Sequence, residues 1–171
     1  MTLTLRPIEA DEVDEVDEVQ ALIEADPGYV ERITGLPPGP ADAQSLLMVV
    51  PPDLPPDRKT VYGVRDGSGP LVGLVDVLRG YPDEATAYLG LLQVHADHQR
   101  RGLGTRAHAA LLEVVRGWPE ITSLMLSIVA TNRVVAEPFW VGLGYRPVGE
   151  PMPYAYANLA STVQRYGRPL G

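Results

Sequence analysis

The sequence predicts an α/β protein: a mixed central β-sheet with helices on both faces, folded as a single domain over residues 1–171. Three observations carry this. A chain of 171 residues is one core's worth. Its 45% hydrophobic content is enough to fill that core. A run of hairpin-like strands gives way to a strand–helix–strand–helix order, the combination that produces a sheet with both antiparallel and parallel pairs.

The elements follow in order. Leu3-Thr4-Leu5-Arg6-Pro7 alternates apolar and polar residues and meets proline, a short first strand. Glu9 to Ala25 reads as a helix whose stripe is Val13, Val16, Val19, Leu22 and Ile23. Tyr29 to Gly35 and Ala41 to Val50 read as two shorter helices. Pro37 to Pro56 holds seven prolines and reads as an irregular loop within the domain. Lys59–Arg65 and Leu71–Leu78 flank the turn Asp66-Gly67-Ser68-Gly69-Pro70 and predict a hairpin. Ala85–Val94 adds a third strand, Leu103–Arg116 a helix ended by Gly117-Trp118-Pro119, and Ile121–Ala130 an apolar strand. A helix over Asn132–Leu143 stops at Gly144. Strands at Tyr145–Val148 and Tyr154–Arg165 close the chain.

The net charge of −8 is local. Residues 1–26 hold nine acids and one base, Arg6, and the remaining 13 acids and 13 bases cancel. The acidic balance argues against a nucleic-acid partner. The acidic first helix reads as a solvated face or as an attractor of a cationic ligand. No apolar run approaches the roughly 18 residues of a membrane helix. Met1 to Arg6 lacks the layout of a signal peptide, so a cytoplasmic chain with no membrane partner is expected. Cysteine is absent, which removes disulfides, thiolate metal sites and a cysteine nucleophile.

The chemistry gathers at Gln99-Arg100-Arg101-Gly102-Leu103-Gly104-Thr105, where strand passes to helix. Glycines allow close backbone approach, the helix start leaves unpaired N–H groups, and arginines add charge. Together they make a pyrophosphate cradle. Three readings fit: a dinucleotide fingerprint, a structural Gly-rich turn and a coenzyme A loop. The first is weakened by Ala96 to Arg101, which separate the strand from Gly102, and by the lack of an acid ending a second strand.

The longer context resembles the GNAT (Gcn5-related N-acetyltransferase) superfamily. One motif runs from Leu91-Leu92-Gln93-Val94 through Gln99-Arg100-Arg101-Gly102-Leu103-Gly104. The second joins Leu124–Ala130, Asn132, Ala136, Phe139-Trp140 and Gly144-Tyr145. The resemblance implies a splayed-strand cleft for acetyl-CoA as acyl donor. The backbone of Leu92 and Val94 would face the pantetheine arm, and the Leu92 N–H would polarise the acetyl carbonyl. Gln99, Arg100, Arg101, Gly102, Leu103, Gly104 and Thr105 would hold the pyrophosphate. Asn132 would contact the arm, cap a helix, or both.

The sequence departs from the pattern at Trp140, where many relatives place a tyrosine that protonates the thiolate. An indole N–H donates a hydrogen bond but is no acid at neutral pH, so Trp140 is assigned to packing at the thioester end. Tyr88 falls where histone-acetylating relatives carry their base, and Asp76 is a carboxylate inside an apolar strand. Both are candidate bases; the other reading of Tyr88 is a wall of the acceptor pocket, and that of Asp76 is a carboxylate pointing to solvent. His95 and His98 flank the loop, His108 has no visible partner, and no spacing supports a metal. Tyr29, Glu31, Tyr81 and Tyr154 are placed at the acceptor pocket. The expected activity is direct acetyl transfer to a primary amine of a small molecule or peptide. Another acyl donor, a hydroxyl acceptor, a non-catalytic CoA-binding module, and a homodimer rather than a monomer remain open.

Overall fold

The structure, a computed structural model, describes residues 2–171; Met1, the first residue of the expected domain, lies outside them. The elements are β1 (Leu3–Pro7), α1 (Val13–Ala25), α2 (Pro27–Thr34), α3 (Asp42–Met48), β2 (Lys59–Asp66), β3 (Leu71–Arg79), β4 (Thr86–Val94), α4 (Leu103–Arg116), β5 (Ser123–Val129), α5 (Arg133–Gly142), β6 (Arg146–Tyr156) and β7 (Leu159–Pro169). Seven strands form one sheet in the order β1-β2-β3-β4-β5-β7-β6. All pairs are antiparallel except β4 with β5.

Helices cover both faces, as expected. On one face Val19, Leu22 and Ile23 of α1 and Ala43 of α3 pack with Val61, Leu71 and Leu74. On the other, Leu103, Ala107, Leu111 and Val115 of α4 pack with Val64, Val75 and Val77, joined by Trp140 of α5. β3, apolar on both faces, is buried along Leu71–Leu78. Among the described residues no helix is long and apolar enough to cross a membrane.

The C-terminal part corrects the sequence reading. β6 continues to Tyr156, and the turn before β7 falls at residues 157–158, inside the strand expected over Tyr154–Arg165. β6 carries Pro147, Pro151 and Pro153, which an edge strand tolerates because its outer side needs no N–H. The first helix begins at Val13 rather than Glu9. The Glu9 N–H is satisfied by the Glu15 carboxylate at 2.9 Å, an irregular turn ahead of α1.

Two features of β4 position the site. It pairs with β5 only from Thr86–Leu89 against Ser123–Leu126, so beyond Leu89 the two parallel strands separate. Its register with β3 slips between Asp76↔Leu91 and Val77↔Leu89, leaving Gly90 unpaired in a bulge. The slip reverses the alternation. Leu89 faces the α4 core, and after the bulge Leu92 and Val94 face it again, while Leu91 packs with the α1–α3 face. Gln93, paired with Leu74, lies on that second face too.

Candidate functional site: a cleft between parted parallel strands

The parting of β4 and β5 opens a cavity of about 450 Å³, walled by Leu89 to Val94, Leu126 to Ile128, the turn into α4, and Asn132, Ala136, Phe139 and Trp140. Its main-chain chemistry follows from register. The His95 N–H is given to the Val72 carbonyl of β3 at 2.8 Å. By alternation Gln93 also bonds towards β3, and Leu92 and Val94 turn N–H and C=O to the open edge. Buried main-chain groups need partners. Gln99 supplies one, donating from Nε2 to the Val94 carbonyl at 3.0 Å.

The turn into α4 is built for an anion. Arg100 (φ 60°) and Gly102 (φ 73°) both take left-handed backbone, a conformation that turns successive N–H groups inward. Gly102 starts α4 with no side-chain cap, so the first N–H groups stay available. A Cβ on Gly104 would lie 3.2 Å from the Phe139 ring, so this glycine also lets α4 approach α5. Gln99, Arg100, Gly102, Leu103, Gly104 and Thr105 line the cavity; Arg101 is exposed and does not. His98 lines it as well, with an enclosed Nδ1 that has no partner among the described residues. An open strand edge, an anion turn and an unsatisfied ring nitrogen fit a long ligand with amide and phosphate groups.

Trp140 is buried and lines the cavity, edge-on to Phe139, Tyr145 and His108. His108, expected to lack a partner, has one: its Nε2 shares a hydrogen bond with the Tyr145 hydroxyl at 2.9 Å. Burial, reinforced by Arg168, pushes His108 down to about 4, so the imidazole is neutral. Asn132 precedes α5 but makes no cap hydrogen bond; its Oδ1 accepts from Arg32 Nε at 2.7 Å.

The catalytic candidates sit behind the cavity. Tyr88 and Asp76 are not among its lining residues. Burial raises the Tyr88 hydroxyl above its ordinary range, against a hydrogen bond with Ser127. Asp76 is buried and bonded through both oxygens to Lys59 Nζ at 2.9 Å. Burial raises its carboxyl, opposed by Lys59. A Cβ on Gly90 would come within 2.5 Å of Asp76 Oδ2, so the carboxylate fills the space inside the bulge. Among the described residues no group of three or more His, Cys, Asp or Glu could hold a metal ion.

A roof completes the site. α2 spans the open ends of β4 and β5, tied at its start by Gln99 Nε2 donating to Asp26 Oδ2 at 2.8 Å. At its end Arg32 holds Asn132, the Thr131 hydroxyl donates to the Arg32 carbonyl, and the Tyr154 hydroxyl donates to the Ile33 carbonyl. Tyr29 and Arg32, one turn apart, line the cavity. Of the expected acceptor residues, Glu31 is exposed, and Tyr81 stacks edge-on against Tyr88. Arg32 and Gln93 were not singled out from sequence. The spacing of Arg32 from Tyr29 was the available signal.

Parallel strands that part beside a glycine-bearing helix start, with main-chain groups turned into the gap, form an architecture shared with solved acetyltransferases. The chain belongs to the Acetyltransferase (GNAT) family, whose model matches residues 36–145, and members of this family are acyltransferases. It is similar to an acetyltransferase from Thermus thermophilus, at 27% identity over 99% of this chain and 97% of that one, with a TM-score of 0.74. Two further structures show the likeness of fold. A spermidine N-acetyltransferase from Vibrio cholerae, solved with CoA and spermine, is 16% identical over 98% and 95% of the two chains (TM-score 0.73). The ribosomal-protein-S18-alanine N-acetyltransferase from Escherichia coli is 16% identical over 99% and 94% (TM-score 0.65). No curated protein sequence matches the chain.

Proposed function

We propose that this chain, as one domain working in the cytoplasm, transfers an acetyl group from acetyl-CoA to a primary amine of a small molecule or peptide, by direct attack in a ternary complex. The observation that carries this is the open edge of β4 beside the anion turn of α4, in a member of an acyltransferase family. Acetyl-CoA, when bound, supplies the acetyl thioester.

The chain's own groups do the rest. The turn at Gln99 to Thr105 holds the pyrophosphate through main-chain N–H groups and Arg100. Arg101, exposed beside it, adds charge. Leu92 and Val94 pair with the pantetheine amides as a neighbouring strand does, and the Leu92 N–H polarises the acetyl carbonyl. Asn132, oriented by Arg32, contacts the arm, and Trp140 closes the thioester end against water. Tyr88 stays a neutral hydroxyl at pH 7 and shapes the acceptor end. Asp76 holds the bulge that aims Leu92. The amine's proton therefore leaves to water, and the thiolate leaves without a side-chain acid.

Release of free thiol from acetyl-CoA across a panel of amines and peptides tests this. Turnover should follow the deprotonation of each amine, with kcat/KM rising to a plateau near the amine's own pKa. Tight acetyl-CoA binding without thiol release from any amine would favour the non-catalytic reading, for which Trp140 is the supporting observation. Faster turnover with a longer acyl-CoA at one fixed amine would move the donor assignment.

A further inference from the structure

We propose that the roof side of the cleft is a carboxylate subsite, so that the amine this chain acetylates carries a carboxylate of its own. The inference rests on the acetyltransferase reading above and names its substrate class.

Three residues with donor groups line the cavity between α2 and β4. Arg32 lines the cavity, and its Nε is committed to Asn132 Oδ1. The guanidinium ion-pairs with no carboxylate among the described residues, and its other nitrogens are the ones that form a fork for two oxygens. Nη1 lies 3.0 Å from where a Gly28 Cβ would stand, so the side chain lies back along the first turn of α2, and a larger residue at 28 would displace it. Asp26, just before α2, lines the cavity too; its Oδ2 accepts from Gln99 and its Oδ1 lies 3.6 Å from the same Gly28 Cβ position, with no ion pair to Arg32 among the described residues.

Gln93 is the second donor. It is only 6% exposed, it lines the same cavity, and its Nε2 is enclosed with no hydrogen-bond partner among the described residues. A buried amide left unpaired is unfavourable, and natural structures rarely keep one unless a bound group satisfies it. Gln93 reaches this face only because of the bulge at Gly90. With regular alternation from Leu89 it would lie on the opposite face. Tyr29 adds a hydroxyl one turn before Arg32 on the same helix.

A guanidinium fork, an unpaired amide N–H and a hydroxyl form a set dominated by donors, with the carboxylate of Asp26 at the start of α2 as the acid beside it. The Arg32 fork matches the two oxygens of a carboxylate and places like charge against a second ammonium on its own side of the roof. None of the acidic residues of α1 lines the cavity; the acid among the lining residues is Asp26. The phosphates of the donor have their own turn at Arg100 and Gly102, on the α4 side.

The test uses matched pairs: amino acids against the amines left when their carboxylate is removed, with acetyl-CoA fixed. The wild-type chain should prefer the carboxylated member by about tenfold or more in kcat/KM. Arg32→Gln should erase that preference by raising the acceptor KM, by more than any rise in the acetyl-CoA KM that follows from releasing Asn132, and Arg32→Lys should restore part of it. Gln93→Leu, close in volume, should weaken it by about threefold. Equal or better use of the decarboxylated amines overturns the proposal. So does acetylation of no carboxylated amine while acetyl-CoA still binds. A rise in the acetyl-CoA KM of Arg32→Gln with the acceptor KM unmoved assigns Arg32 to the donor and overturns it as well. Failure of the wild-type chain to bind acetyl-CoA is a different result, and strikes the acetyltransferase reading itself.

Discussion

The wall of the cleft made by β4 and α4 turns main-chain groups to the gap, whereas the roof made by α2 turns side chains to it. The wall depends on where the strands part, on an unpaired Gly90 and on left-handed backbone at Arg100 and Gly102. Almost any side chain could change around it without removing those groups. The roof depends on Tyr29 and Arg32, held over the gap by Tyr154, Thr131 and Asn132 from distant parts of the chain. The family match begins at residue 36, after α2, so the matched part holds the wall and leaves out the roof helix.

The largest effect comes from loosening what lies under the wall. Lys59→Met strands Asp76 as a buried charge inside the bulge. Removing one partner of such a pair costs about 3–5 kcal/mol, measured by urea unfolding. A loss below about 1 kcal/mol would mean the bulge does not depend on the pair. Second is the wall's aromatic support. The unfolded chain protonates His108 near pH 6.5 and the folded chain only near 4, so this group withdraws stability as pH falls between those values. The shift corresponds to about 3 kcal/mol. His108→Leu should flatten that part of the stability profile relative to the wild type.

The third prediction separates wall from roof. Gly104→Asp places a carboxylate at the anion turn and a side chain against Phe139, and should weaken acetyl-CoA binding by on the order of 100-fold. Gly102→Ala strains the turn by roughly 1–2 kcal/mol without a clash, since nothing lies within 4 Å of its Cβ position, and so isolates backbone shape from packing. The smallest effect belongs to the roof. Tyr154→Phe frees the Ile33 carbonyl at a cost of about 1 kcal/mol. It should raise the acceptor KM a few-fold and leave acetyl-CoA affinity as it was. An equal loss of both would show that wall and roof act as one unit.

The same contrast explains what could be read from the sequence. Backbone recognition leaves local marks, and the turn from Gln99 to Thr105 with α4 over Leu103–Arg116 was readable residue by residue. The mixed sheet followed from the element order. Contacts between distant residues leave no such mark. Arg32 meets Asn132 across 100 positions, so the sequence offers Asn132 as an arm contact or a cap and gives no sign of Arg32 as its partner. His108 and Tyr145 find each other only when α4 and the end of α5 pack together. The β6–β7 hairpin was misplaced because prolines on an edge strand look, in sequence, like prolines that end one. Gln93 was hidden by the bulge, since a single unpaired residue moves its side chain to the other face.

The wall as a place for acetyl-CoA underlies every functional step proposed for this chain. Calorimetric titration of acetyl-CoA into the wild-type chain and Gly104→Asp tests that most directly. The expected result is one molecule bound per chain, with binding lost or weakened about 100-fold in the variant. No binding to the wild type, or equal binding to both, would contradict it.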